Sequence, residues 1–489
     1  MRTRLLGTIA AVAAGAGGVV AQTPPPPMPI GVAGGPGMGL MPAGGNGEPI
    51  PPQMGGPPGM MGGDPMGGMG GPGMGGPMYP PPGPYGAPPP QDNGAGVHGR
   101  IGARFWTDAD FLLSFVPRQT VMGPLLTSGP PASRGILGAV GTTVQAGQQN
   151  LGYGVFTGFN IHTGWFYDDA RRHGIELGGF LTETRKNDTL VSSDAGGQPL
   201  YARPFVNATT GLTDALLVTF PTYASGYARV LSTSMSYGAE GSFVTNLFRS
   251  CPDGCGDGGR LWDVNLLAGF RYLSLEEELR IDSGSNILGN RLDANGTVVN
   301  QAQTAPFDGK SYTGPVTIEV SDRFRTSNRF YGGNVALKSA LYLNRWVIQS
   351  RLSAAFGLMH EEVTVDGHSS LYGVDATGTA FKSVVPGGLY ANSTNIGKYT
   401  NDEFGFIPQV DLSLGYQWSS WFSTHVGYNF LYINRVARPG DQYTNVVNPA
   451  TVPSSFSYGL GNAINVPSPV VSQSDFYLQG VTLGFTVRY

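Results

Sequence analysis

The chain ends Val481-Thr482-Leu483-Gly484-Phe485-Thr486-Val487-Arg488-Tyr489, with large apolar residues at every odd position and small or polar ones at every even position. Alternation of period two describes a strand with one apolar and one polar face. At the C-terminus of an exported chain, such a strand predicts the closing strand of a transmembrane β-barrel. Its apolar face meets lipid and its polar face meets the lumen.

The other end of the chain agrees. Met1 to Ala21 carries Arg2 and Arg4, an apolar run from Leu5 to Val20 and a small-residue site, Val19-Val20-Ala21, before Gln22. This order predicts a secretory signal peptide over 1–21. No later stretch offers the ~18 uninterrupted apolar residues of a membrane helix. Any crossing of a membrane must therefore be made by strands.

Residues 22–96 are a different material, with runs such as Pro24-Pro25-Pro26-Pro27 and Met60-Met61-Gly62-Gly63-Asp64-Pro65-Met66. Such a segment cannot bury enough apolar surface to offset the entropy of ordering it. It predicts a Pro/Gly/Met-rich disordered periplasmic segment, able to contact the periplasm or cell wall. Thioethers suit Cu(I), but no histidine or cysteine precedes His98, so no metal or other cofactor is expected. The net charge of −4 carries no polybasic surface that would suit nucleic acid.

From residue 97 to 489 the chain turns rich in Tyr, Phe, Trp, Gly, Ser, Thr and Asn, and alternating segments long enough to cross a bilayer recur. The first, about 101–116, opposes Phe105, Ala109, Phe111, Leu113 and Phe115 to Arg104, Asp108, Asp110 and Ser114. The second, about 151–167, sets Tyr153, Val155, Phe159, Ile161 and Trp165 against Gly154, Gly158, Asn160 and His162. The third, about 174–186, has Ile175, Leu177 and Leu181 against Glu176, Gly178 and Thr182. The fourth has Leu231 to Leu247 against Ser232, Ser234, Ser236, Glu240 and Asn246. The fifth opposes Trp262, Leu266, Phe270 and Tyr272 to Asp263, Asn265, Gly269 and Arg271. Tyr331, Val335 and Leu337 face away from Asn334 and Lys338 in the sixth, about 320–343. In the seventh, Trp346, Ile348, Leu352, Phe356 and Leu358 oppose Gln349, Arg351, Ser353 and Glu361. The eighth sets Phe404, Val410, Leu412 and Leu414 against Gln409, Asp411 and Ser413. The ninth sets Phe422, Val426, Tyr428 and Phe430 against Ser423, His425, Gly427 and Asn429. The C-terminal strand makes about ten, an even number, as single-chain bacterial barrels require.

The connections have their own pattern. Those after the even strands are short (Asp168–His173, Arg249–Arg260, Asn344-Arg345, Ser419-Ser420). Those after the odd strands run on the order of 30 to 45 residues, as expected for periplasmic turns alternating with external loops. Trp165, Trp262, Trp346, Trp418 and Trp421 gather beside the short turns, where indole rings favour the headgroup region. The expected fold is all-β: an antiparallel up-and-down transmembrane β-barrel in the outer membrane, with lipid as its neighbour and both termini periplasmic. Its oligomeric state is open.

Several longer motifs add a family resemblance: Phe111-Leu112-Leu113, Gly135-Ile136-Leu137-Gly138 with Gly141-Thr142-Thr143-Val144, Leu267 through Leu273, Phe324 through Gly333, and Val426 through Tyr432 continued by Arg438-Pro439-Gly440-Asp441-Gln442. On these the chain resembles the outer-membrane beta-barrel porin family seven from about Ala103 to Tyr489. Ser114-Phe115 stands where the family pattern leads one to expect a tryptophan pair. The resemblance implies an outer-membrane barrel and no particular substrate.

Signals for chemistry are sparse. Cys251-Pro252-Asp253-Gly254-Cys255 lies between strands four and five, and in an oxidising compartment it predicts a disulfide pinning that turn. His360-Glu361-Glu362 lacks the second histidine of a zinc-protease helix, since position 364 is Thr. No GxSxG elbow is present, so no enzyme is expected. The lumen-facing candidates are Glu176, Glu240, Asp263, Arg271, Lys338, Arg351, Glu361 and Asp411. With inward glycines leaving room, they would line a narrow, loop-gated path for ions or small polar solutes. Paired across so narrow an interior, they would instead close it, leaving a structural or adhesive surface scaffold.

Overall fold

The computed structural model describes residues 103–148, 151–250, 260–292, 298–375, 377–461, 464–469 and 471–489. Among the described residues the long strands of the main sheet are β1 (Phe105–Phe115), β2 (Val155–Phe166), β3 (His173–Thr182), β4 (Ala224–Arg249), β5 (Arg260–Ile287), β6 (Val316–Leu343), β7 (Trp346–Val374), β8 (Gly397–Gln417), β9 (Phe422–Ala437) and β10 (Gln473–Arg488). Each pairs antiparallel with the next in chain order, and β10 pairs in turn with β1, Phe111 opposite Leu483. Two shorter strands, Arg185–Ser192 and Ala380–Pro386, extend the same sheet along the upper parts of β4 and β7. Among the described residues no helix is long and apolar enough to cross a membrane.

The lower part of the sheet, next to the short turns, has its hydrophobicity on the outside. Phe159 is 67% exposed and Phe243 70%, and Ile175, Phe270, Leu352, Phe404 and Leu483 are exposed with them. The five tryptophans beside the turns, from Trp165 to Trp421, are exposed in the same band. A bulge in β4 sets Phe248 opposite Val264 and Asn246 opposite Asn265. Leu247 and Phe248 are therefore both exposed, and Arg249 reaches Asp263 on the polar side.

The strands are far longer than expected. β4 to β7 run to 26, 28, 28 and 29 residues, whereas a tilted strand crosses a bilayer in about 9–11. The extra length obeys the opposite rule. Beyond Tyr272, Tyr331 and Leu358 the apolar residues change face. Leu273, Leu275, Leu279 and Ile281 of β5, Phe324 and Phe330 of β6 and Met359 and Val363 of β7 are all buried. Glu278, Arg280, Arg323 and Arg325 occupy the opposite face, where Glu278 pairs with Arg323 and Arg325, and Arg280 with Asp282. The lower half is built for a surrounding apolar medium and the upper half for water.

The long connections, expected as loops, are largely folded. Pro124–Gly129, Thr143–Gly147, Leu200–Asn207, Thr213–Thr219 and Val446–Val447 form a second, five-stranded sheet. Its Leu125, Leu126 and Val218 share one core with Val230, Ile281, Phe324 and Val363 of the upper walls. Each fully buried Leu or Phe there contributes about 1.5–3 kcal/mol, which is what holds this cap together. Tyr153, expected on the outer face of the second strand, is buried instead. Gly154 turns the chain with φ +71°, and the Tyr153 hydroxyl lies 2.6 Å from Ser232 Oγ and 3.0 Å from Gln119 Oε1. The signal peptide over 1–21, the segment 22–96 and the Cys251–Cys255 pair lie outside the described residues.

Candidate functional site

The alternation that sends apolar side chains outward in the lower half sends charged ones inward, and there they meet. Arg351 of β7 donates to Glu176 of β3 and to Glu240 of β4. Lys338 of β6 lies 3.1 Å from both Asp108 and Glu176. Arg271 of β5 donates to Glu240 at 2.9 Å and to Gln409 of β8 at 2.6 Å, and Gln409 donates in turn to Asp411 at 3.0 Å. Most of these partners sit on strands that are not neighbours in the sheet, so the network spans the interior. Buried charges are tolerated only when paired and hydrogen-bonded, and this layer supplies the partners.

Two histidines complete it. His425 Nε2 lies 2.6 Å from Asp110, and His162 Nδ1 lies 3.6 Å from both Glu176 and Glu240. His162, Glu176 and Glu240 place ligand atoms within 4.8 Å of one another, a spacing that suits a metal ion. The Arg351 guanidinium already bridges the two carboxylates, so a cation would have to displace it.

The inward glycines make room for side chains rather than for water. A Cβ at Gly178 would stand 2.3 Å from the His162 ring, one at Gly484 2.2 Å from Asp110, and one at Gly164 2.0 Å from the Trp106 indole. Trp106 packs on Phe166 and donates to Glu176 at 3.2 Å. The voids left in this region are about 110, 70 and 40 Å³. Gly164→Leu is expected to displace Trp106 and cost about 1–3 kcal/mol, the range for overpacking a filled interior. Urea unfolding of the detergent-refolded variant against the parent measures it, and an unchanged midpoint would show that Trp106 does not hold this end.

Above the charged layer lies an apolar one. Leu273, Leu275, Phe330, Ala355, Met359, Ile407, Leu431, Ile433, Phe476 and Leu478 each have at most 5% of their surface exposed and pack together across the interior. Higher still, Arg438 donates twice to Glu277 at 2.8 Å, and Asn328 exchanges two hydrogen bonds with the Ala437 backbone. The cap core follows, pinned by the fully buried pair of Arg203 and Asp322. Asp322 also accepts the backbone N–H groups of Leu389, Tyr390 and Ala391. Burial pushes the Tyr390 phenol up to about 12, so it remains neutral and donates to Pro204 O at 2.9 Å.

The family described as "Putative beta barrel porin-7 (BBP7)" matches residues 106–489. The chain belongs to this family. No curated protein matches it. Among solved structures, the outer membrane protease OmpT of Escherichia coli shares 8% identity over 79% of this chain and 97% of its own, with a TM-score of 0.29. The P. putida toluene transporter TodX shares 8% over 80% and 91%, with a TM-score of 0.17. Outer-membrane expressed OmpT of Vibrio cholerae shares 9% over 79% and 97%, with a TM-score of 0.12. Likeness this weak carries no argument about activity. Family membership points to the outer membrane.

In this BBP7 chain the eight lumen-facing candidates divide into three groups. Glu176, Glu240, Arg271, Lys338, Arg351 and Asp411 share the charged layer. Asp263 lies nearer the short turns, 3.0 Å from Arg249. Glu361 lies above the apolar layer, where it accepts from Asn401 at 3.0 Å and Gln473 at 2.8 Å, and burial raises its carboxyl above the ordinary value. Its neighbour His360 points to the opposite face, 2.6 Å from Asp402, so the two cannot serve one metal. Five participants stood outside the candidate set although their parity was legible: Asp108, Asp110, His162, Gln409 and His425. The Arg203–Asp322 and Glu277–Arg438 pairs had no local signal, because their partners are 119 and 161 residues apart in sequence.

Proposed function

We propose that the chain is a closed ten-stranded outer-membrane barrel whose lumen is filled rather than conducting, and that it works as a surface scaffold displaying its folded cap. The observation that carries this reading is the apolar layer from Leu273 to Leu478, stacked on the charged layer. Water-filled channels belong to wider barrels of about 16–18 strands, while interiors near eight strands are filled by side chains. The exposed apolar band with its tryptophans suits contact with lipid. On this reading both termini are periplasmic, residues 22–96 reach toward the cell wall, and the role is structural or adhesive rather than catalytic.

Planar-bilayer recording of the full chain, with folding checked by heat-modifiable gel mobility, tests it. Folded protein is expected to leave the bilayer silent at any salt concentration. Discrete, salt-dependent steps would overturn the scaffold reading and restore passive passage of ions or small polar solutes.

A further inference from the structure

The largest void among those described is in the cap, far from the charged layer. It is about 730 Å³, within the roughly 300–1,000 Å³ typical of small-molecule sites. Its floor is the cap core: Ile287, Ile318, Val320, Leu389 and Val452, none more than 5% exposed. Phe205, Leu216, Phe220 and Tyr223 also line it, with Pro449 and residues 454–457, where Phe456 is 70% exposed. A water-filled hollow of this size lined by aromatic and branched side chains leaves apolar surface unburied, and an occupant would remove it from water.

The lining also says what kind of occupant fits. Among the described residues its formal charges are one of each sign, Arg134 and Asp214, which sets up no net field to select an ion. Polar side chains line the same space: Ser285, with Ser283, Gln303 and Asn207, of which Ser283 accepts from Arg203 at 3.3 Å, Gln303 donates to Gln301 O at 2.7 Å and Asn207 accepts from Thr209 N at 3.0 Å. Tyr223 is already held, donating to Thr304 O at 2.9 Å. Ser454, more than nine-tenths buried in the same lining, has a hydroxyl without a partner among the described residues. A mainly apolar site with a few polar groups is the usual composition for holding a compact organic molecule in one orientation.

We propose that this cleft binds a neutral, amphipathic small molecule: an aromatic or branched hydrocarbon body seated on the core floor, with one hydroxyl or amide toward the serines. The floor is sealed, because the Arg203–Asp322 pair and the Phe324 side chain lie in the core beneath it, both fully buried. The ligand is therefore captured at the cap and not passed into the strands below. Capture does not depend on whether the lumen conducts.

The test uses N-phenyl-1-naphthylamine, a neutral amphipathic fluorophore, with the full chain held in amphipol and empty amphipol as the blank. Saturable, blue-shifted emission at one site per chain is expected, weakened at least about tenfold in both Ala215→Trp and Ser285→Trp, which fill the cleft from partly exposed positions. Only variants that keep the parent's heat-modifiable mobility are compared, so a loss reads the cleft and not the fold. Uptake that never saturates above the blank, or equal binding in the filled variants, would overturn the proposal.

Discussion

Asp322→Ala is expected to release the cap while the lower strands stay folded. Both side chains of the Arg203–Asp322 pair are fully buried, and breaking such a pair by removing one partner costs about 3–5 kcal/mol, because the remaining charge has no solvent. Here the loss spreads further. The same carboxylate holds the N–H groups of Leu389, Tyr390 and Ala391, at 3.3, 2.8 and 2.6 Å. It thereby ties the 387–396 segment to β6 and, through Arg203, to the strand Leu200–Asn207. Arg203 also lies 4.9 Å over the Tyr390 ring, a contact worth little once the guanidinium is uncompensated. Limited proteolysis is expected to cut within 200–223 and 387–396 in the variant only, with the heat-modifiable shift of the barrel retained. Asp322→Asn, which keeps the shape and an acceptor, is expected to fall between the two. Protease resistance equal to the parent's would show that the cap core alone holds these segments.

The second large effect is expected at Arg351. Its guanidinium bridges Glu176 and Glu240, whose side chains are 2% and 6% exposed. Arg351→Met leaves two carboxylates facing one another, with Lys338 and Trp106 still at Glu176 Oε2 and Arg271 and Asn334 still at Glu240 Oε2. Because those cations remain, the cost is expected near the lower end of the range for a broken buried pair, about 3 kcal/mol. Adding Glu176→Gln and Glu240→Gln to the same chain is expected to recover part of it, because the facing carboxylates no longer repel and Lys338 keeps Asp108, while Arg271 loses its carboxylate and keeps Gln409. Equilibrium unfolding in urea of the parent, the single and the triple variant measures this. Failure of the triple variant to recover would show that the charges are needed together for assembly of the strands. Conductance is expected to stay absent in all three, because the apolar layer above is untouched.

Legibility of this chain in its sequence was uneven for reasons that can be traced to particular residues. The lower strands could be read because a medium outside and a polar interior impose the same period-two pattern on each of them. Glu240 and Arg271 both carry inward parity on adjacent strands, and the register sets them opposite each other. The upper halves were legible in principle. In β5 the apolar residues sit at 262, 266 and 270 and then at 273, 275, 279 and 281, a one-residue change of phase that marks where the surroundings change from lipid to water. The phase of the lower half, continued alone, predicts a strand end followed by a loop there. The Gly, Ser, Thr and Asn content of the connections pointed the same wrong way. Short strands such as Thr143–Gly147 need only a partner edge and a core beneath them, and neither is local.

The sequence by itself determined that the chain is all-β and antiparallel, where its lower strands alternate, and which of their residues face which side, because side-chain direction along a strand follows from backbone geometry alone. Only the tertiary structure decided what the inner face encloses. Whether Arg351 meets Glu176, whether Met359 meets Phe476 and whether Asp322 finds Arg203 depend on the curvature and register of the whole sheet. These distances are set across the interior, between residues that no local pattern connects.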